Sequence, residues 1–276
     1  MAARRLPVGY LEDRRIQDFR RDGAIVLPGL LTQQEVALLR EGIDQNLAAP
    51  SPRAKIASRA EDPGLFIEDF CCWSEIPAYE RFIRETPLAE VAARLTDSRT
   101  IRLYHDHMLT KEAGTRQRTP WHQDQPYYNI EGHQNVSYWI PVDPVSRAAT
   151  LEFVAGSHLG PWLMPRSFMT TEAHWFPEGT LTEMPPIEAD RAAYPIIGWP
   201  MEPGDVLAFH MLALHASAGA DPGRRRRVFS LRVMGDDVTH APRHWVTSPP
   251  FVGLERELPA GQPMEHPLFP VLYTAE

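Results

Sequence analysis

Proline sets the first limit on what this chain can fold into. It occupies 27 of 276 positions, nearly a tenth and roughly double the usual ~5%. Each proline removes a backbone donor and suits neither a helix interior nor a central strand, so many short elements joined by ordered loops are expected and a helical bundle is excluded. Apolar residues at 43% and charged residues at 23% are ordinary globular values, which makes disorder a poor description. A single domain over 1–276 is expected, since no linker or fixed-period repeat divides the chain.

Charge narrows the partners. Lys and Arg number 28 against 36 Asp and Glu, a net charge of −8, and nucleic-acid binders need clustered cations to neutralise phosphates. No window of eighteen apolar residues suggests a membrane span, and the start, Met1-Ala-Ala-Arg-Arg, has no apolar signal region. Cys71 and Cys72 are the only cysteines, too close in sequence for an easy mutual disulfide. The expectation is a cytoplasmic protein acting on a small molecule, with no nucleic acid and no membrane. The oligomeric state is not legible.

Along the chain the texture changes once. Residues 10–47 read as helical with one interruption: Asp22-Gly23 breaks a short helix before the apolar run Ala24–Leu27, and Thr32-x-x-Glu35 is a capping box ahead of Val36, Leu39 and Ile43 at helical spacing. Residues 48–70 read as a surface loop. A helix over 77–95 follows, with Pro87 placed to divide it. From Thr100 the period shifts toward two. Ile101, Leu103, His105, His107 and Leu109 would share one strand face, and Tyr104, Asp106, Met108 and Thr110 the other. Further strands are expected at 136–142, 150–154, 205–210 and 227–234, with Glu202-Pro-Gly-Asp205 a type II turn. This pattern gives N-terminal helices, about 10–95, on an antiparallel β core, about 100–240.

Chemistry concentrates in Thr119-Pro-Trp-His122-Gln-Asp124. On an extended segment His122 and Asp124, two apart, point to the same side and could share a metal. Alone that pair is weak. Two histidines and one carboxylate on one face hold iron(II) and leave three positions open, and His215, shortly after the strand ending near His210, is a candidate for the third ligand. His210 competes for that position. His105-Asp-His107 has two histidines on one face but no third ligand tied to it. In Arg224-Arg-Arg-Arg227, alternation sends one pair toward the core, where a guanidinium needs an acid partner. Asn135-Val-Ser137 matches a glycosylation sequon, without a signal peptide to make it relevant.

Together these residues resemble the phytanoyl-CoA dioxygenase family of iron(II)- and 2-oxoglutarate-dependent oxygenases. The likeness runs from Phe19-x-x-Asp22-Gly-Ala-Ile-Val-Leu-Pro28 to Gly235-Asp-Asp237. It is carried by Met108-Leu-x-Lys111, Trp121-His-Gln-Asp124, Trp139-Ile-Pro141, Gly156-Ser-His158, Gly204-Asp-Val206, Leu214-His-x-Ser217 and an arginine eleven residues after His215. The resemblance implies a mainly β fold with flanking helices around a double-stranded β-helix, the cupin-like jelly-roll. It implies that His122, Asp124 and His215 bind Fe(II), that Arg226, helped by Ser217, holds the distal carboxylate of 2-oxoglutarate, and that Met108, Gln123 and Trp139 line the cosubstrate pocket. Gly156-Ser-His158 reads as a turn.

The implied activity is hydroxylation of an unactivated C–H using O2, with 2-oxoglutarate converted to succinate and CO2. A carboxylate at Asp124 argues against halogenation, for which relatives carry a small residue there. The substrate is not readable, although a charge of −8 offers no long-range attraction to a polyanionic CoA ester and favours a smaller or less charged molecule. Desaturation, epimerisation or ring formation would use the same site. Gln125–Asn129 and the segment 160–200, with Trp162, Phe168, Trp175, Phe176 and Tyr194, are candidate lids. The alternatives are a cupin-type hydrolase or isomerase, which leaves Arg226 without a task, and a non-catalytic binding protein.

Overall fold

The computed structural model describes residues 3–58, 61–165 and 181–275. In chain order they form α1 (Asp13–Asp22), β1 (Ala24–Leu27), α2 (Gln33–Ala48), β2 (Lys55–Ile56), β3 (Phe66–Phe70), α3 (Pro77–Glu85) and α4 (Leu88–Thr96). There follow β4 (Thr100–Lys111), β5 (Thr119–His122), β6 (Ile130–Glu131), β7 (Asn135–Pro141), β8 (Leu151–Val154), β9 (Ile196–Ile197) and β10 (Val206–Phe209). β11 (His215–Ser217), β12 (Arg226–Met234), β13 (Thr239–His240), α5 (Leu254–Glu257) and β14 (Val271–Thr274) complete the order.

Local chemistry explains most boundaries. Glu35 N donates to Thr32 Oγ1 and Thr32 N to Glu35 Oε2, closing the capping box of α2. Gly23 ends α1 at φ +77°, a conformation that costs glycine little. Pro87 separates α3 from α4, because a helix cannot run through it without losing a hydrogen bond. The turn before β10 closes through Asp205 N donating to Glu202 O, with Gly204 at φ +113°.

An eight-stranded sheet in the order β1-β10-β7-β12-β4-β3-β2, with β14 also on β4, faces a four-stranded sheet in the order β5-β11-β8-β9. This is the β-rich double-sheet fold with flanking helices. One face of the large sheet meets the helices through Ile25, Tyr138, Ile140, Phe229 and Leu231, packed with Val36, Leu39, Phe82 and Val91. Its other face meets the small sheet through Trp139, Phe209 and Val228 with Leu151 and Phe153. Covered on both faces, β7 is buried along its whole length.

Two expectations are corrected. Residues 48–70 are not merely a loop: β2 and β3 extend the large sheet, and Phe66-x-Glu68-x-Phe70 alternates as a strand should. The uniform alternation expected along 100–110 also fails. Opposite β12, Arg232 pairs with His105 but Val233 pairs with Leu103, so Tyr104 is an extra residue in a bulge. Ile101 and Leu103 pack on the helix side, and beyond the bulge that side belongs to Met108, leaving His107 and Leu109 to face between the sheets.

Phe229 joins helices to sheet, fully buried with the Tyr79 ring 4.5 Å and the Phe82 ring 6.0 Å away. Its side chain faces away from the space between the sheets. Phe229→Ala should lower the unfolding free energy by about 3–5 kcal/mol, read as a lower urea midpoint at constant slope, while iron(II) binding in the folded fraction persists.

Candidate active site

The two histidines sit opposite one another. His215 at the start of β11 pairs in register with His122 at the end of β5, and their rings lie 4.1 Å apart between centroids. His122 Nδ1 is 2.9 Å from Pro120 O and His215 Nδ1 is 2.8 Å from Ala213 O. A carbonyl only accepts, so each Nδ1 carries the proton and each Nε2 keeps its lone pair free to ligate. Burial, with His122 beside it, pushes His215 down to about 3, which keeps its imidazole neutral near pH 7.

Asp124 arrives by a different route from the one expected. β5 stops at His122, and Asp124 has helical dihedrals (φ −73°, ψ −45°) at the head of a 3-10 turn over Gln125–Tyr127. Its N–H, at 2.8 Å, and that of Gln125, at 3.0 Å, both donate to Met211 O. That turn, rather than the pleat of a strand, brings the carboxylate round. Asp124 Oδ1 lies 3.5 Å from His122 Nε2 and 3.7 Å from His215 Nε2. Oδ2 accepts from Ser137 Oγ at 3.1 Å and Arg232 Nη2 at 3.3 Å. Burial works against the charged carboxylate, but Arg232 and the two imidazoles hold its pKa well below the usual range.

One donor atom from each of the three lies within 4.8 Å of the others, and no second such cluster of three occurs among the described residues. Two imidazole nitrogens and one carboxylate oxygen form the donor set that suits non-haem iron(II) and leaves coordination positions open. The residues present therefore fit that ion.

The cluster opens into a cavity of about 310 Å³ between the sheets, within the usual range for a small-molecule site. Arg226 lines it with Ser217, Trp139, Thr119 and Val228. The buried Arg226 guanidinium donates to Ala149 O and lies 5.5 Å from the Trp139 ring centroid; burial lowers its pKa to about 10. Ser217 Oγ donates to Ala218 O at 3.0 Å. Directly across from Arg226 is Lys111, whose ammonium donates to Gln117 O and Ala218 O.

Two residues expected in the pocket are elsewhere. Met108 lies beyond the bulge and packs on the helix side. Gln123 points at neighbouring backbone, donating to Pro161 O and Leu212 O and accepting from Leu163 N; it fixes the loops behind the ligands and does not line the cavity. Sequence reading missed the wall formed by Lys55, Ile56, Phe66, Glu68 and Phe70, and it missed Arg232. Both were readable, the first from the alternation of 66–70 and the second from the two-residue period of 226, 228, 230 and 232.

Of the lid candidates, Tyr127 and Tyr128 line the cavity. Trp162 instead packs against the Arg243 guanidinium and Tyr194 against a cluster around Ile187, while Phe168, Trp175 and Phe176 fall outside the described residues. Gly156-Ser-His158 is a turn: Ser157 Oγ accepts from Leu214 N, bracing the residue before His215, and His158 Nε2 meets Arg20 O. Asn135 and Ser137 are buried, so the sequon is inaccessible in the folded chain.

His210 stands apart from the cluster. Its Nε2 is 2.9 Å from His133 O, and its Nδ1 accepts from Leu212 N at 3.0 Å, a neutral tautomer fixed at both nitrogens. Burial, with His158 nearby, lowers its pKa to about 3. A base depressed below its unfolded value of about 6.5 contributes stability that is complete above that pH and lost as pH falls toward 3. His210→Asn should retain iron(II) while flattening the fall in stability across that window, whereas His215→Ala should lose stoichiometric iron. Metal analysis after anaerobic reconstitution and pH-dependent urea unfolding measure the two effects.

The family described as phytanoyl-CoA dioxygenase (PhyH) matches residues 19–228. No curated protein matches by sequence. Among solved structures, the non-haem α-ketoglutarate-dependent carbocyclase SnoK from nogalamycin biosynthesis is 21% identical at a TM-score of 0.74, covering 95% of this chain and 96% of its own. The epimerase SnoN, in complex with Fe3+, α-ketoglutarate and nogalamycin RO, is 21% identical at a TM-score of 0.75, covering 94% and 98%. EctD from S. alaskensis, with 2-oxoglutarate and 5-hydroxyectoine, is 20% identical at a TM-score of 0.62, covering 84% and 79%. At such identities the structural likeness is one of fold. With about three quarters of its length matched by the family and the two-histidine, one-carboxylate cluster assembled, the chain belongs to the phytanoyl-CoA dioxygenase family and is an iron(II)- and 2-oxoglutarate-dependent oxygenase.

Proposed function

We propose that this single-domain protein hydroxylates a C–H bond of a small organic molecule held in the cavity between the two sheets, with His122, Asp124 and His215 holding iron(II) and Arg226 holding 2-oxoglutarate. The observation that carries the reading is that the His-Asp-His cluster and the buried Arg226 guanidinium line one cavity. A hydrolase or isomerase on this fold would leave that guanidinium without a partner acid. Iron(II) bound there would supply activation of O2 coupled to oxidative decarboxylation of 2-oxoglutarate to succinate and CO2.

The protein's own residues provide placement. Pro120 O and Ala213 O orient the two imidazoles, and Ser137 with Arg232 turns Asp124 Oδ1 inward. Arg226 presents a planar fork suited to the distal carboxylate of 2-oxoglutarate, with Ser217 beside it and Trp139 as a wall. Phe66, Phe70, Tyr127 and Tyr128 shape the remaining space, hold the substrate near the metal and limit water. Free thiols at Cys71 and Cys72 are consistent with work in a reducing cytoplasm, and among the described residues no helix is long and apolar enough to cross a membrane.

Epimerisation or ring closure is the second reading, favoured by the named activities of SnoN and SnoK. Product mass separates the two: hydroxylation adds one oxygen atom, epimerisation leaves the mass unchanged, and oxidative ring closure removes two hydrogens. Purified protein with iron(II), 2-oxoglutarate and O2 should form succinate, and under anaerobic conditions should develop the metal-to-ligand absorption of bound 2-oxoglutarate. Asp124→Ala should lose both signals. Arg226→Gln should raise the KM for 2-oxoglutarate at least about tenfold, as expected for loss of a buried charge-assisted contact. An unchanged KM would remove Arg226 from that role.

A further inference from the structure

The cavity contains a second arginine that cosubstrate binding does not employ. Arg232 lies six residues beyond Arg226 on β12, and Val228 and Ser230 between them line the same space. It is 6% exposed. Nη2 reaches Asp124 Oδ2 at 3.3 Å and the Tyr128 hydroxyl interacts with the guanidinium, but Nε and Nη1 have no hydrogen-bond partner among the described residues. Buried guanidinium N–H groups left unmade are costly. A ligand acceptor would satisfy them.

Charge indicates what kind of acceptor. Of the other charged groups lining the cavity, Glu68 and Lys55 are opposite in sign and cancel in the sum. Glu68 meets His107 at 3.4 Å and stands opposite Lys55 in register. His105, across from Arg232, is kept neutral by burial, to which Arg232 adds. With iron(II) and doubly charged 2-oxoglutarate in place, their charges cancel. Asp124 offsets one of the two guanidinium groups, Arg226 or Arg232. One positive charge remains, and the buried, unpartnered guanidinium donors, Nε and Nη1, are on Arg232.

The walls of the cavity are mainly aromatic and apolar. The Phe70 ring stacks on His107 at 3.9 Å between centroids, and Phe66, Ile56, Tyr127 and Tyr128 complete the walls. We infer that Arg232 is a specificity-determining residue that binds a carboxylate of the substrate, and that the substrate is a flat, apolar monoacid. A planar carboxylate matches the guanidinium fork. One negative charge is also compatible with a protein of net charge −8, whereas a polyanion would meet long-range repulsion.

The inference rests on the cavity being the place where iron, 2-oxoglutarate and substrate meet, and the test separates the two ideas. Holoprotein with iron(II) and saturating 2-oxoglutarate, so that Arg226 is occupied, is titrated anaerobically by calorimetry with 2-naphthoate and with its neutral isostere 2-naphthamide. The acid should bind at least about tenfold more tightly than the amide. Arg232→Gln should abolish that ratio, and Arg232→Lys should restore part of it. Equal binding of acid and amide, or binding of neither, overturns the inference, and the wild-type ratio decides this even if the variants do not fold. If Arg232 only braces Asp124, Arg232→Gln would weaken the anaerobic 2-oxoglutarate absorption and leave the acid-to-amide ratio intact, which would also overturn it. Absence of that absorption in the wild type would instead count against the iron and 2-oxoglutarate reading.

Discussion

Pairing of β5 with β11 sets His122 opposite His215, and the other features of the site are arranged around that pair. Neighbouring strands fix the distance between the two backbones, and backbone carbonyls two residues upstream fix the rings. The geometry therefore comes mainly from main-chain hydrogen bonding, which does not depend on long flexible side chains. Asp124 is the one ligand placed by a turn, and that turn is anchored on Met211 O, while Met211 N donates to Asn135 Oδ1 on β7. The small sheet contributes the imidazoles, and the large sheet fastens the carboxylate.

Buried charge is distributed to match. The face of β12 that looks between the sheets carries Arg226 near one end and Arg232 near the other, with Val228 and Ser230 between them. Roughly 20 Å of strand separates the two arginines at 3.3 Å per residue, so their mutual repulsion is weak and each can serve a different anion. Asp124 relieves one of them internally. Covering the opposite face of the sheet with helices removes water from that side, which raises the cost of any unpaired charge facing inward.

Elements specified by local chemistry were legible in the sequence. The capping box, Gly23, Pro87 and the Glu202–Asp205 turn each act over a few residues, and each marks an element boundary near where it was expected. Features that depend on a neighbouring strand were not. The bulge at Tyr104 exists only in relation to β12, so periodicity alone put Met108 on the wrong side. β2, the edge strand, is two residues long, and β3 beside it turns Phe66 and Phe70 to a cavity rather than a continuous core, so the alternation of 66–70 was readable as a strand while its place in the sheet was not. His122, Asp124 and His215 were found through ordered motifs, although the His122–Asp124 geometry was attributed to a strand that ends before Asp124.

The position of β2 and β3 at the margin of the large sheet has an evolutionary consequence. β11, which bears His215, is paired on both sides, by β5 and β8, whereas β2 has only β3 beside it and carries no ligand. Changes in length or composition of that hairpin disturb few backbone pairings, yet they alter the shape and polarity of the outer wall. Diversification of what is accepted can thus proceed at the rim of the barrel while the reactive centre stays fixed.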